Sequence, residues 1–181
     1  MAILQLDNGT IYRELSDIVR ELDSLNIRVK QYTSGTSLLF PNLFEQDILA
    51  EPEKQQILEL HDSVFEFIKQ EGSYLWSDLL VLHPGSPNLQ TLAATYSRYH
   101  THPDPETLHV LAGEAIFSFV QHDGSQMQLL LQAQDYIHIP IGVEHWFSLA
   151  ASLHVKAVRY FTTAAGWMPY YTETQTGDRT V

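Results

Sequence analysis

The sequence predicts a mainly β protein of the α+β kind, an antiparallel barrel or sandwich with two to four helices packed on its outside. Three observations carry this. Apolar residues recur at helical spacing in two stretches before Gly72. From Leu75 onward the period shortens, and short apolar runs alternate with turn signals. Among those signals, Asp123-Gly124 stands between the runs Ala115 to Val120 and Met127 to Leu131, a hairpin signature.

Taken in order, Leu15, Ile18, Val19, Leu22 and Leu25 mark one face of an amphipathic helix, with Asp17, Arg20, Glu21 and Asp23 on the other. Its expected cap is near Ser16, and Asn26 ends it. Ile27 to Tyr32 alternates as a strand, and Thr33-Ser-Gly-Thr-Ser reads as a loop. A second helix opens at Pro52 and stops at Gly72, its core stripe formed by Ile57, Leu60, Val64 and Ile68. Leu79 to Leu82 reads as a buried strand, followed by the loop His83-Pro-Gly-Ser-Pro-Asn and one helical turn near Leu89. Further strands are expected at Tyr136 to Ile139, His145 to Leu149 and Leu153 to Phe161. The whole chain, 1–181, reads as one domain: a helical part (1–73), a barrel core (74–168) and a flexible polar tail (172–181).

Composition narrows the partners. A net charge of −12 leaves no basic stripe to offset phosphates, which excludes nucleic acid and anionic membrane as expected partners. The absence of cysteine removes disulfides and thiolate ligands from consideration. The opening Met1-Ala-Ile-Leu-Gln-Leu reaches Asp7 too soon for a signal peptide or a membrane span, so a cytoplasmic location is expected.

The chemistry concentrates in Tyr99-His-Thr-His-Pro-Asp-Pro-Glu106, answered by Pro140-Ile-Gly-Val-Glu-His145. His100 and His102 are two apart, so on a strand both imidazoles share a face. Pro103 and Pro105 cannot continue an interior ladder, and a turn there returns Glu106 toward the histidines. His145 follows a Pro-x-Gly turn. Three imidazoles and one carboxylate suit one divalent ion such as iron, nickel, manganese or zinc. The other histidines, at 61, 83, 109, 122, 138 and 154, have no partner in a ligand-like register and read as structural or solvated.

Strand parity suggests what surrounds such a site. Tyr96, Arg98, His100 and His102 share a face if their strand is regular, as do Glu106, Leu108 and Val110. Phe147 points with His145, so Phe147 and Tyr96 are candidate walls of a pocket. Arg159 lies on a largely apolar face with Val155, Ala157 and Phe161. A guanidinium there needs an anionic or carbonyl partner. That partner is either a bound anionic substrate or ligand carboxylate, or one of the chain's many acids in a structural ion pair.

His100-x-His102-x3-Glu106-x6-Gly113 resembles the first motif of the cupins, and Pro140-x-Gly142-x2-His145 the second. With Asp78-Leu-Leu-Val-Leu-His-Pro, Glu144-His-Trp-Phe147 and Arg159-Tyr-Phe-Thr-Thr-Ala-Ala-Gly-Trp167, the chain resembles the acireductone dioxygenase family of methionine salvage, from about residue 55 to 172. The resemblance implies a cupin-type barrel or jelly roll and one Fe(II) or Ni(II) ion on His100, His102, Glu106 and His145. It implies a small enediol substrate with O2, and it leaves monomer and homodimer both open. Two departures stand out. The family usually carries an arginine two residues after the ligand glutamate, thought to hold the enediolate, and here that residue is Leu108, with Arg98 a candidate substitute. The glycine frequent at the start of the second motif is replaced by Gln134-Asp135. A different metal-dependent cupin enzyme (a sugar isomerase or a dioxygenase for another diol) and a non-catalytic metal- or ligand-binding cupin are the alternatives, the latter suggested by Leu108.

Overall fold

The structure, a computed structural model, describes residues 1–32, 45–87 and 89–174. The loop expected from Thr33 and most of the tail expected at 172–181 lie outside the described residues. Within them the chain forms β1 (Ile3–Leu6), β2 (Ile11–Tyr12), α1 (Leu15–Leu22), a 3-10 turn (Asp23–Leu25) and β3 (Arg28–Gln31). There follow α2 (Glu51–Leu60), α3 (Asp62–Glu71), β4 (Trp76–Leu82), α4 (Leu89–Tyr96) and β5 (His100–Thr101). The remainder is β6 (Glu106–Val120), β7 (Gln126–Gln132), β8 (Asp135–Ile139), β9 (His145–Leu149), β10 (Val155–Phe161) and β11 (Tyr170–Tyr171).

All strand pairs are antiparallel and fall into two sheets that share β6. One runs β11-β5-β9-β6-β7-β1-β2; the other runs β4-β10-β6-β8-β3. Strand β6 serves both because it bends at a bulge. Opposite it, Lys156 pairs Ala112 while Ala157 pairs Val110, so Leu111 is the extra residue. Gly113 makes this possible: its φ is +74°, and a Cβ there would lie 2.1 Å from the His154 carbonyl oxygen. The extra residue also switches parity. Leu108 and Val110 enter the main core before the bulge, and Ala115, Phe117 and Phe119 enter it afterward. Leu111 turns the other way, toward Ile57 and Ile68 of the helices.

The main core fills the space between the sheets with Leu4, Phe117, Phe119, Leu129, Leu131, Ile137, Ile139, Val155 and Ala157, all nearly inaccessible to water. Burying each large side chain contributes about 1.5–3 kcal/mol. A second cluster seats α2 and α3 on the outer face of the other sheet, through Ile57, Ile68, Tyr74, Leu111, Tyr136, Val158 and Tyr160. The alternation along β10 agrees with the sequence reading: Val155, Ala157 and Phe161 face the first cluster, Val158 and Tyr160 the second.

Several local expectations need correction. The cap of α1 is Glu14 rather than Ser16, and its side chain makes no capping hydrogen bond. Asn26 does end that region, in the left-handed conformation (φ 55°). The stretch from Pro52 to Gly72 is two helices, not one. At His61 the backbone leaves helical geometry (φ −96°, ψ 0°), and the ring turns inward to lie 5.8 Å from that of His109. No proline or glycine marks this break; tertiary packing causes it. Strand β1 was not expected, and the single turn near Leu89 is a full helix, α4.

A candidate metal centre

The two motifs meet at the edge of the core. His100 on β5 is the cross-strand partner of His145 on β9, and His145 in turn pairs Phe119 on β6. Beyond the two prolines Glu106 begins β6. Gly142, with φ +78°, closes the Pro140 to Val143 turn and donates its N–H to the His102 carbonyl at 3.2 Å, which ties the motifs together. One ligand atom from each of His100, His102, Glu106 and His145 lies within 4.8 Å of every other, and all four residues are buried.

Each imidazole is oriented by its far nitrogen. His100 Nδ1 donates to the Arg98 carbonyl (2.6 Å), His102 Nδ1 to that of Met168 (3.0 Å) and His145 Nδ1 to that of Val143 (2.8 Å). With the proton on Nδ1, each Nε2 carries a lone pair directed at the others. The Nε2 atoms of His100 and His102 are buried without a hydrogen-bond partner among the described residues. Those of His102 and His145 lie 3.1 and 3.0 Å from Glu106 Oε2. Lone pairs facing a carboxylate at that range repel unless a cation stands between them. The donor set, three nitrogens and one oxygen, fits a divalent transition metal.

Electrostatics agrees with this. Burial is the main cause that lowers the His100 pKa to about 4, so the ring is neutral and ready to coordinate. Without a metal, protons on the Nε2 atoms take the cation's place: burial on its own pushes the Glu106 carboxyl up, but hydrogen bonds and charge from protonated His102 and His145 outweigh it and hold the group at about 2, ionised.

A cavity opens beside the cluster, lined by Leu80, Leu82, Leu92, Tyr96, Glu106, Leu108, Phe147, Arg159 and Trp167. Phe147 and Tyr96 wall it, as strand parity suggested, but Tyr96 arrives there as the last residue of α4 rather than on a strand with His100. Its hydroxyl pKa is raised, by burial first and then by the Glu106 charge. Arg98 is not in the cavity: it is exposed, its guanidinium 4.5 Å from the Tyr171 ring centre, and only its carbonyl serves the site. The strand is too short to carry parity back from His100 to residue 98. Leu108 is buried in the cavity wall, directly across from Arg159.

For Arg159 the structure shows the ion pair with one of the chain's acids, on a side chain that also lines the cavity. Its Nε and Nη2 donate to the two carboxylate oxygens of Asp78 at 2.8 and 2.6 Å, a bidentate pair on neighbouring strands, while the side chain lines the cavity. Asp78 was not assigned a role from sequence. The signal was there, since Asp78 shares a strand face with Leu80 and Leu82, an acid on an apolar face mirroring the arginine on β10. Trp167 was likewise only part of a flanking motif. It lines the cavity and spends its indole N–H on the Pro105 carbonyl (3.1 Å).

Two antiparallel sheets enclosing three histidines and a glutamate in these two motifs define a metal-dependent cupin. The model of the ARD/ARD' family matches residues 20–169, and the chain belongs to that family. It is similar to the acireductone dioxygenase of Nostoc sp. (64% identical, covering 98% of each chain) and to that of Trichodesmium erythraeum (46%, covering 97% of each). Among solved structures it is similar to the acireductone dioxygenase from Bacillus anthracis with a cadmium ion in its active centre. That match has a TM-score of 0.88 at 26% identity and covers 94% of this chain and 98% of the other.

Proposed function

We propose that this chain is an acireductone dioxygenase, cleaving a 1,2-dihydroxy-3-keto-5-methylthiopentene-type enediol with O2 in methionine salvage. The observation that carries the reading is the convergence of three Nδ1-anchored histidines on one ionised glutamate, in a chain nearly two-thirds identical to a relative of that name. His100, His102, Glu106 and His145 would hold Fe(II) or Ni(II), which would supply Lewis acidity toward the enediolate. Iron is expected to give the keto-acid and formate, and nickel to release carbon monoxide as well.

The chain's own residues prepare the substrate. Phe147, Trp167 and the leucines keep the cavity apolar, so charge interactions inside it are stronger than in water. Arg159, oriented by Asp78, presents a guanidinium edge to an anionic oxygen. The Nδ1–carbonyl contacts hold the imidazoles so that ligand geometry does not reorganise as charge shifts. Among the described residues no helix is long and apolar enough to cross a membrane.

The test is turnover. Protein loaded separately with iron and with nickel is mixed anaerobically with the acireductone, oxygen is admitted, and formate, keto-acid and carbon monoxide are measured. Oxygen-dependent loss of substrate with metal-specific products is expected. Binding without oxygen consumption in either form would make this a ligand-holding cupin and contradict the assignment.

A further inference from the structure

The cavity is poor in hydrogen-bond donors. Six of its nine lining residues are apolar or, in Trp167, have already committed their donor to the backbone, and the ionised Glu106 only accepts. Arg159 has given Nε and one N–H of Nη2 to Asp78, which leaves Nη1 and the second Nη2 N–H without a recorded bond on a side chain that lines the cavity. Leu108, directly opposite Arg159 across the strand pair, contributes none. The remaining donor is the hydroxyl of Tyr96. Its ring centre lies 5.8 Å from that of His100, and it has no hydrogen-bond partner among the described residues. A phenol of this kind is a rigid side chain with a polar tip, half-buried at the end of a helix and open to a ligand acceptor.

We infer that Tyr96 contacts the substrate directly, donating its hydroxyl proton in a hydrogen bond to an enediolate oxygen beside Arg159, so that a neutral donor and a half-neutralised guanidinium together hold the anion. This rests on the function proposed above. A hydroxyl in place of a second full cation also fits the charge balance of the pocket, where Arg159 is already paired with Asp78. No proton leaves Tyr96 in this role; it is a hydrogen-bond donor that remains protonated throughout.

The experiment uses the metal-loaded protein and Tyr96→Phe, which keeps the ring and removes only the hydroxyl. Three readouts are taken: metal content, anaerobic Kd for the acireductone from its ultraviolet absorbance, and kcat/KM with oxygen. Unchanged metal content with Kd and kcat/KM worse by about ten- to a hundredfold is expected, the usual loss for a hydrogen bond to a charged acceptor. Leu108→Arg added to Tyr96→Phe should recover part of the lost binding by supplying a donor from the opposite wall. Equal Kd and kcat/KM in Tyr96→Phe and wild type, with the wild type active, would overturn the inference and leave the function intact. A wild type that does not turn over acireductone would remove both.

Discussion

Replacing Arg159 by methionine separates its two contacts. The pair with Asp78 is bidentate, but the two side chains are 23% and 35% exposed, so solvent screens it and its contribution to stability is about 1 kcal/mol or less. The guanidinium also lies 5.3 Å from the Phe161 ring centre and 5.6 Å from that of Trp167, adding roughly 0.5–1 kcal/mol. Methionine keeps most of the packed stem, and the Asp78 left behind is open enough to hydrate, so no uncompensated buried charge is created. The expected cost is therefore about 1–2 kcal/mol, a fall in Tm of a few degrees for a chain of this size. Loss of a charge-assisted contact to the enediolate should be larger in kinetics, about ten- to a hundredfold in kcat/KM. Thermal melts and steady-state oxygen uptake on the same preparations make the comparison. A variant that melts more than ten degrees lower with kcat/KM unchanged would show that Arg159 serves only the fold.

Two further outcomes follow from the same geometry. Leu108→Arg on its own should raise kcat/KM for the acireductone, because the new guanidinium enters the cavity from the strand face that carries Glu106; a variant that only loses activity would mean that Tyr96 and Arg159 already saturate the substrate's acceptors. Acid should loosen the α2–α3 attachment through His109, whose pKa is lowered to about 4 by burial and then by the charge of His61. A folded-state pKa below the unfolded value of about 6.5 means that this stabilisation is complete above pH 6.5 and is lost as pH falls toward 4, by up to roughly 3 kcal/mol. His109→Gln, which does not titrate, should show a shallower fall in Tm over that range, and parallel curves for the two proteins would contradict the assignment.

The four-residue cluster and the strand-rich half were legible because both are written in short-range patterns. A two-residue histidine spacing, two prolines and a Pro-x-Gly turn act over a few bonds, and tertiary context has little to override. The glycine missing at the start of the second motif is such a case: Gln134 takes the left-handed conformation itself (φ 79°), so the turn survives and the cluster is untouched. What sequence did not give depends on contacts between distant segments. The break at His61 comes from a ring drawn in against His109, and the Asp78–Arg159 pair joins residues 81 apart. Tyr96 was placed on the right wall by a strand that does not exist; α4 ends there instead, and the two-residue strand β5 holds only His100 and Thr101. The same error put Arg98 in the cavity, where the structure leaves it on the surface against Tyr171.

Metal content tests the central claim most directly. Protein purified without chelator and analysed for transition metals should carry close to one divalent ion per chain. His100→Ala, which removes one of the buried nitrogens that lacks any other partner, should lose most of it while remaining folded by circular dichroism. Full metal content in folded His100→Ala would mean that the ion sits elsewhere and that these four side chains are not its ligands.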